Sequence, residues 1–404
     1  MPRAVVLFAM VAPLVAQAPD ALTPLPPESL LLARIKLQMS DNLLRQPNYT
    51  CLETIERTRR PKGSRAQVED TLRLEVALVN GKEMFAWPGS KAFEDKELRD
   101  LVATGTFGNG NFAIHARAVF LTRSPVFVSR GEEILSGQPA VRYDFRVSLI
   151  NSGYTLRVNQ KEAIVGYHGS FWADPQTLDL RRLEVFADDI PPELEVDATM
   201  DRVDYHRLAI GGDLFLLPVE SVLEMRVRGD ASRNYTRFTA CRQFSGESVL
   251  KFTEELRADA PPVPPLQEIV LPDRTELQLS LSQVLELRTL AVGDPITAEL
   301  RADVKHQKQV IVPKGAVAQG RITRMERRPD HIVVGIAFTD LEWAGRHAAI
   351  KGWLASVTGI LYAGSDPRRW PVYEPPKLGE GLVRLPPAHK QLSRGMLFYW
   401  RVDP

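Results

Sequence analysis

The sequence predicts an α+β first domain, a curved antiparallel sheet covered by helices, followed by an all-β second domain. Three observations lead there. Helical periodicity is confined to a few stretches before residue 122. Residues 126–257 read almost entirely as alternating strands with short turns between them. A proline-rich segment, RADAPPVPPLQ at 257–267, then separates them from a second run of alternating strands. Its Pro261, Pro262, Pro264 and Pro265 favour a stiff, extended spacer. At 404 residues, 44% hydrophobic and 25% charged, the chain has a folded protein's composition and the length of two or three cores.

The elements follow in order. Residues 1–18, MPRAVVLFAMVAPLVAQA, have the form of an export signal: Arg3, an apolar run from Ala4 to Ala16, and the small-x-small close Ala16-Gln17-Ala18. The run is too short to span a bilayer as a helix. No cysteine follows it, which argues against a lipid anchor, and no later stretch is apolar enough to cross a membrane. The expectation is an exported protein, periplasmic or extracellular, with no membrane span after cleavage.

The first domain, 28–257, opens on a helix. Pro26 and Pro27 precede Glu28, and Leu31, Ile35, Met39 and Leu43 recur at helical spacing until Pro47. Thr50–Thr58 alternates as a strand. Val68–Val79 and Lys82–Trp87 form a hairpin around Asn80-Gly81, a pair that readily takes positive φ angles. Helices are expected over 93–103 and about 109–121, the second with Phe112, Ala116 and Val119 or Phe120 on one face. Turns fall at Asn151-Ser152-Gly153, Asp174-Pro175 and Gly211-Gly212. Residues 194–229 read as one long hairpin, with Phe215, Leu217, Val219, Leu223 and Met225 sharing a face by period-two spacing. After the linker, 258–267, the second domain runs 268–404. Leu277, Leu279 and Leu281 alternate, as do Ile296, Ala298, Leu300, Ala302 and Val304, then Ile332, Val334, Ile336 and Phe338. Beyond 358 the chain is rich in proline and glycine until MLFYWRV at 396–402, a strand expected to return to the second sheet.

Charge and motif content narrow the function. Fifty-one basic against fifty acidic residues give a net charge of +1, so there is no global field for nucleic acid or an acidic membrane. The basic clusters at Arg57–Arg60, Arg327-Arg328 and Arg368-Arg369 read as solvated surface. The sequence holds no Gly-x-Ser-x-Gly elbow, His-Glu-x-x-His, glycine-rich phosphate loop or Cys-x-x-Cys. None of the seven histidines has a second ligand at metal-site spacing, so no metal or cofactor is expected. Asp204 and His206 share a strand face and read as a polar surface pair. Asp188, Asp189, Glu193, Glu195, Asp197 and Asp201 are dispersed like the solvated face of a sheet.

Cys51 and Cys241 are the only cysteines. In an exported protein they predict a disulfide. A reactive thiol would need a nearby cation, and Arg242 beside Cys241 points to the opposite strand face. The bridge would close a loop of roughly 190 residues, worth about 5 kcal/mol in the chain-entropy model. The triplets NYT at 48–50 and 234–236 match the glycosylation pattern formally, but Tyr and Thr there also favour strands.

The first domain concentrates aromatic residues: Phe85, Trp87, Phe107, Phe112, Phe120, Tyr167, Phe171 and Trp172. Two readings stand. They form a core between helices and sheet, or they line a greasy cavity beneath a lid, TGTFGNGNFAIHA at 104–116, softened by Gly105, Gly108 and Gly110. In the second reading Phe85, Trp87, Phe107, Phe112, Phe120, Phe171 and Trp172 are the ligand-lining residues.

YTCLETIER at 49–57 and VGYHGSFWADPQTLDLRRLEVF at 165–186, behind the long first helix, resemble the periplasmic lipoprotein-carrier (LolA-like) group over residues 28–257. That resemblance implies an antiparallel half-barrel with helices in its concavity, holding lipid or peptide. LPDRTELQLSLSQVL, VGDPITAELRADV and QVIVPKGAVAQGRI resemble the β-rich domain of TrbI-like conjugal-transfer proteins over 267–355. That resemblance implies a β-barrel-like module for contacts in the envelope. Three classes of function follow: a non-enzymatic envelope binding or carrier protein for an amphiphile or lipoprotein, a structural module that binds an envelope protein partner, and an unrecognised hydrolase.

Overall fold

The computed structural model describes residues 25–90, 93, 98–102, 105–108, 112–244, 266–366, 368 and 376–402. The export signal and linker residues 258–265 lie outside the described residues.

Helix α1 spans Pro27–Arg45. Proline at its first position needs no amide partner, and Glu28 and Arg45 at its two ends suit the helix dipole. Its apolar stripe is buried at Ile35, Met39 and Leu43. The first sheet has ten strands: β1 Tyr49–Arg60, β2 Gln67–Val79, β3 Lys82–Ala86, β4 Val126–Leu135, β5 Gln138–Val147, β6 Gly166–Ala173, β7 Leu180–Asp188, β8 Val196–Ile210, β9 Asp213–Val227 and β10 Asp230–Gln243. Their order is β3-β2-β1-β10-β9-β8-β7-β6-β5-β4. Every neighbouring pair is antiparallel. The protein is mostly β, and this sheet curls into a half-barrel. The β2–β3 turn has the expected positive φ angles, 50° at Asn80 and 79° at Gly81.

β1 lies between β2 and β10, so the first strand pairs with the last, from Tyr49 opposite Gln243 to Arg60 opposite Ala231. Cys51 and Cys241 form a disulfide across these two neighbours. It sits where the register shifts between Thr50 and Leu52.

Two expectations need correction. Between β3 and β4 the described helical residues are α2, Leu98–Leu101, and α3, Ile114–Phe120; residues 93, 102, 112, 113 and 121, expected in the helices, are not helical, and 94–97, 103 and 109–111 lie outside the described residues. Residues 105–108 between them are not helical, and Gly105 takes φ 81°. The β8–β9 hairpin forms as expected, but a bulge interrupts it. Asp204 faces Glu220 while Tyr205 faces Pro218, leaving Val219 as an extra residue. One extra residue reverses the alternation. Phe215 and Leu217 therefore lie on the opposite face from Ser221, Leu223 and Met225, and Leu216 takes their place.

The second sheet is built from β11 Gln267–Glu268, β12 Glu276–Leu281, β13 Pro295–Leu300, β14 Val317–Arg327, β15 Ile332–Trp343, β16 Arg346–Ala349, β17 Gly352–Val357, β18 Ala363–Gly364, β19 Gly381–Leu385 and β20 Leu397–Val402. The main path is β11-β16-β15-β14-β13-β12-β20-β17, with β19 joining β15 and β18 joining β19. The C-terminal strand β20 is internal, set between β12 and β17.

The two sheets meet at β2. Beyond the end of β3 the β2 edge is open, and Val292 fills it: Arg73 N donates to Val292 O and Val292 N to Thr71 O, both at 2.8 Å. Arg73 Nη1 also reaches Asp294 Oδ1 at 2.5 Å. Gly293, φ 100°, has no room for a side chain, because a Cβ there would lie 2.3 Å from Arg73 O and 2.6 Å from the Trp87 ring. One apolar cluster runs through the junction, from Leu72 and Leu74 through Val292 to Ile322 and Trp400.

Candidate ligand site

The concave face of the first sheet follows from strand alternation. On β1, Tyr49, Cys51, Glu53, Ile55 and Arg57 point inward and are buried. At one end of this face Phe112 packs between Tyr49 and Phe238, with ring centroids 5.0 and 5.2 Å away. At the other end Phe171 gathers Phe120, Tyr143 and Phe127 at 5.2, 5.3 and 6.0 Å. The strands between carry a polar band. Asn234 and Thr236 of β10, Ser221 of β9, and Thr199 and Asp201 of β8 are all buried.

Several of these groups lack partners. Buried polar atoms of Tyr49, Glu53, His115, Thr199, Asp201, Tyr205 and Ser221 make no hydrogen bond among the described residues. Each such atom costs about 1–3 kcal/mol relative to a satisfied one. Burial pushes the Glu53 carboxyl up to about 8, with the nearby Glu83 charge adding to the effect. Burial likewise raises Tyr49 and Tyr205, and Glu83 contributes to both. Asp201 accepts from Tyr154 OH at 3.0 Å. His115 Nε2 lies 3.4 Å from the same Asp201 oxygen, without hydrogen-bond geometry. Tyr154 is raised by burial first and by Asp201 second. The band is polar but holds no metal arrangement: among the described residues no three His, Cys, Asp or Glu side chains are grouped to bind an ion.

A few polar contacts hold the elements lying over this face. Asn42 of α1 clasps the Leu216 backbone, donating to its O at 3.1 Å and accepting from its N at 2.9 Å. Glu83 Oε1 accepts from the amides of Ala113 and Ile114, at 2.8 and 3.3 Å, where α3 begins. Arg117 of α3 donates to Leu43 O at 3.1 Å, joining α3 to α1. Asn234 Nδ2 holds Thr106 O at 2.7 Å, and the Thr106 and Ser232 hydroxyls meet at 2.8 Å.

Of the seven aromatics singled out in the sequence, Phe85, Phe107, Phe112, Phe120 and Phe171 pack on the concave side. Trp172 points the other way, opposite Arg142 and Arg182, and its indole nitrogen donates to Glu133. Trp87 stands at the junction with the second sheet, beneath Arg321. Arg57 is not solvated surface as its cluster suggested. It is buried and holds Asp70 through two bonds of 2.6 and 2.5 Å. Asp204 is a surface ion-pair partner, 2.7 Å from Arg182. Asp201, which the sequence pattern placed on a solvated sheet face, is buried on the concave face instead, and sequence reasoning passed over Glu53. The signal for Glu53 was present: it shares the parity of its apolar neighbours Cys51 and Ile55.

Near Arg57 a cleft of about 1510 Å³ lies between the first sheet and β14. Trp87, Leu101, Val102 and Val292 form its apolar side, and Arg321, Arg324 and Glu380 its polar side.

No family model matches the chain, and no curated protein matches it. Among solved structures it is similar to a protein described as an outer-membrane lipoprotein-sorting domain from Vibrio parahaemolyticus, with 11% identity, TM-score 0.31, and coverage of 55% of this chain and 93% of that one. It is also similar to a DUF1329 family protein from Desulfovibrio piger, with 10% identity, TM-score 0.30, and coverage of 53% and 93%. A LolA superfamily protein from Nitrosomonas europaea gives 10% identity, TM-score 0.28, and coverage of 53% and 94%. At these TM-scores the likeness is too loose to transfer chemistry between the chains.

Proposed function

We propose that this is an exported, non-enzymatic binding or carrier protein of the cell envelope, and that it takes an amphiphile against the concave face of its first sheet. The observation that carries the reading is the pairing of two aromatic walls with a buried band of unpartnered polar groups. That combination suits a ligand with an apolar body and a few polar atoms. The cover is suited to moving, because α3 has only 7 residues and Gly105, before it, takes φ 81°. Phe85, Phe107, Phe112, Phe120 and Phe171 are the residues that would contact the chain. In this reading α1 and α3 cover a first domain that ends before the proline linker, and the second sheet is a separate module for envelope contacts, in line with its TrbI-like sequence pattern. Protein purified without detergent is expected to carry lipid visible by native mass spectrometry, and to bind an environment-sensitive acyl probe at micromolar concentration. Absence of both rejects the reading.

A partner-binding module is the second reading, favoured by β4. This strand is a sheet edge, and Val126, Val128 and Ile134 on it are exposed. Crosslinking that traps a partner through β4, from protein that binds no acyl probe, would select it.

A further inference from the structure

The cations around the junction cleft are not equivalent. Arg57 pairs with Asp70 at 2.5 Å, Arg324 with Glu380 at 2.9 Å and Arg328 with Glu326 at 3.0 Å. Glu380 is further committed to the Thr323 hydroxyl at 2.8 Å and the Lys377 amide at 2.9 Å. Glu69, the remaining carboxylate on the cleft wall, lies against Gly105 beside Arg57. Arg321 has none of these partners. It makes no ion pair or side-chain hydrogen bond among the described residues, and its guanidinium lies over the Trp87 ring, 5.6 Å from the centroid. The ring holds the cation in place without neutralising it. Burial lowers the Arg321 pKa, as expected of a charge stripped of water with no carboxylate paired to it among the described residues. Arg327, whose Nη2 donates to the carbonyl of Leu287, is lowered by burial in the same way.

An unneutralised, partly desolvated guanidinium is costly unless an anion meets it. Its planar fork matches a carboxylate or a phosphate with two parallel hydrogen bonds. The cleft's volume of about 1510 Å³ is far more than a bare oxyanion fills. Trp87, Leu101, Val102 and Val292 line the rest with apolar surface. Arg57 and Leu72 line the cleft and also belong to the inward-facing rows of β1 and β2.

We propose that Arg321 is the anchor of an oxyanion site, and that the second sheet thereby selects amphiphiles with a carboxylate or phosphate head. Only the direction of the tail, from the cleft along the concave face, rests on the functional reading above. The head-group site stands on the cleft itself.

The test uses the mature full-length chain and four probes: decyl phosphate, decanoate, decanol and inorganic phosphate, titrated calorimetrically. Wild type is expected to bind at least one of the two charged chains about tenfold or more tighter than decanol, the charged chain that binds tighter identifying the head group. Arg321→Gln is expected to remove that preference while leaving decanol affinity unchanged. Arg321→Lys, which keeps the charge and loses the fork, is expected to recover part of it. Equal affinity for charged and neutral chains, or a preference that survives Arg321→Gln, overturns the oxyanion site and leaves the concave-face reading standing. Phosphate binding that depends on Arg321, with no binding of decanol, upholds the oxyanion site and rejects the concave face. No binding of any probe overturns both.

Discussion

Glu53→Gln should make the protein more stable, by an amount that grows with pH. Burial, with Glu83 second, raises the Glu53 carboxyl from 4.5 to about 8. The native state therefore keeps a proton that the unfolded chain releases above pH 4.5. Where the native state binds more protons, stability falls as pH rises. The loss begins near the unfolded value, continues through the neutral range and levels off above about pH 8. At pH 7 the group sits some 2.5 pH units above its unfolded value, which at about 1.4 kcal/mol per unit is a deficit of roughly 3 kcal/mol. Glutamine cannot ionise and removes that deficit. Its amide adds a donor where Glu53 Oε2 already lacks a partner, which takes back about 1 kcal/mol. The net expectation is near zero or slightly negative at pH 4.5 and about +2 kcal/mol at pH 7 to 8. Urea unfolding followed by tryptophan fluorescence at several pH values measures it directly. A difference between variant and wild type that stays flat or shrinks from pH 5 to 8 refutes the buried, protonated carboxyl.

Other expectations are as concrete. Purified protein should show no free thiol on denaturation, and Cys51→Ser with Cys241→Ser should lose about 2–5 kcal/mol in denaturant unfolding. Gly293→Ala should cost about 1–3 kcal/mol, because the new methyl meets Arg73 O and the Trp87 ring; a neutral result would mean that the sheet junction yields easily. Asn42→Ala leaves the Leu216 amide without its acceptor, while the carbonyl keeps the Gln46 Nε2 bond at 3.1 Å, so about 1–2 kcal/mol should be lost and amide exchange at Leu216 should accelerate.

Much of the fold was readable because its signals are local. The stripe Ile35, Met39, Leu43 gave α1, and Asn80-Gly81 gave the β2–β3 turn. The cysteine pair was readable from number and context. What failed was set by non-local contacts. The bulge at Val219 is not located by the sequence FLLPVESVLEM at 215–225, and only pairing with β8 reveals the extra residue. The connection between the two expected helices shows the same limit: Thr106 is held by Asn234 and Ser232, 126 or more residues away, and no local pattern marks those partners. Arg57 looked solvated because its partner Asp70 is on the next strand. The cleft was invisible, because Trp87 and Arg321 are brought together only by Val292 filling the edge of β2.

The place of β1 in the sheet also sets an order of events. As the chain is made from its N-terminus, β2 and β3 follow β1 at once, and a three-stranded antiparallel unit can form early. The other long edge of β1 stays open until residues 230–243 arrive. Until then it offers unpaired backbone groups to any strand nearby, and Cys51 waits 190 residues for Cys241. The half-barrel therefore completes by inserting its last strand beside its first, a non-local step that carries a large loop-closure cost. Because Cys241 lies in β10 and the chain holds no third cysteine, the bridge can close only when this last strand arrives, and it then fixes the closure of the half-barrel.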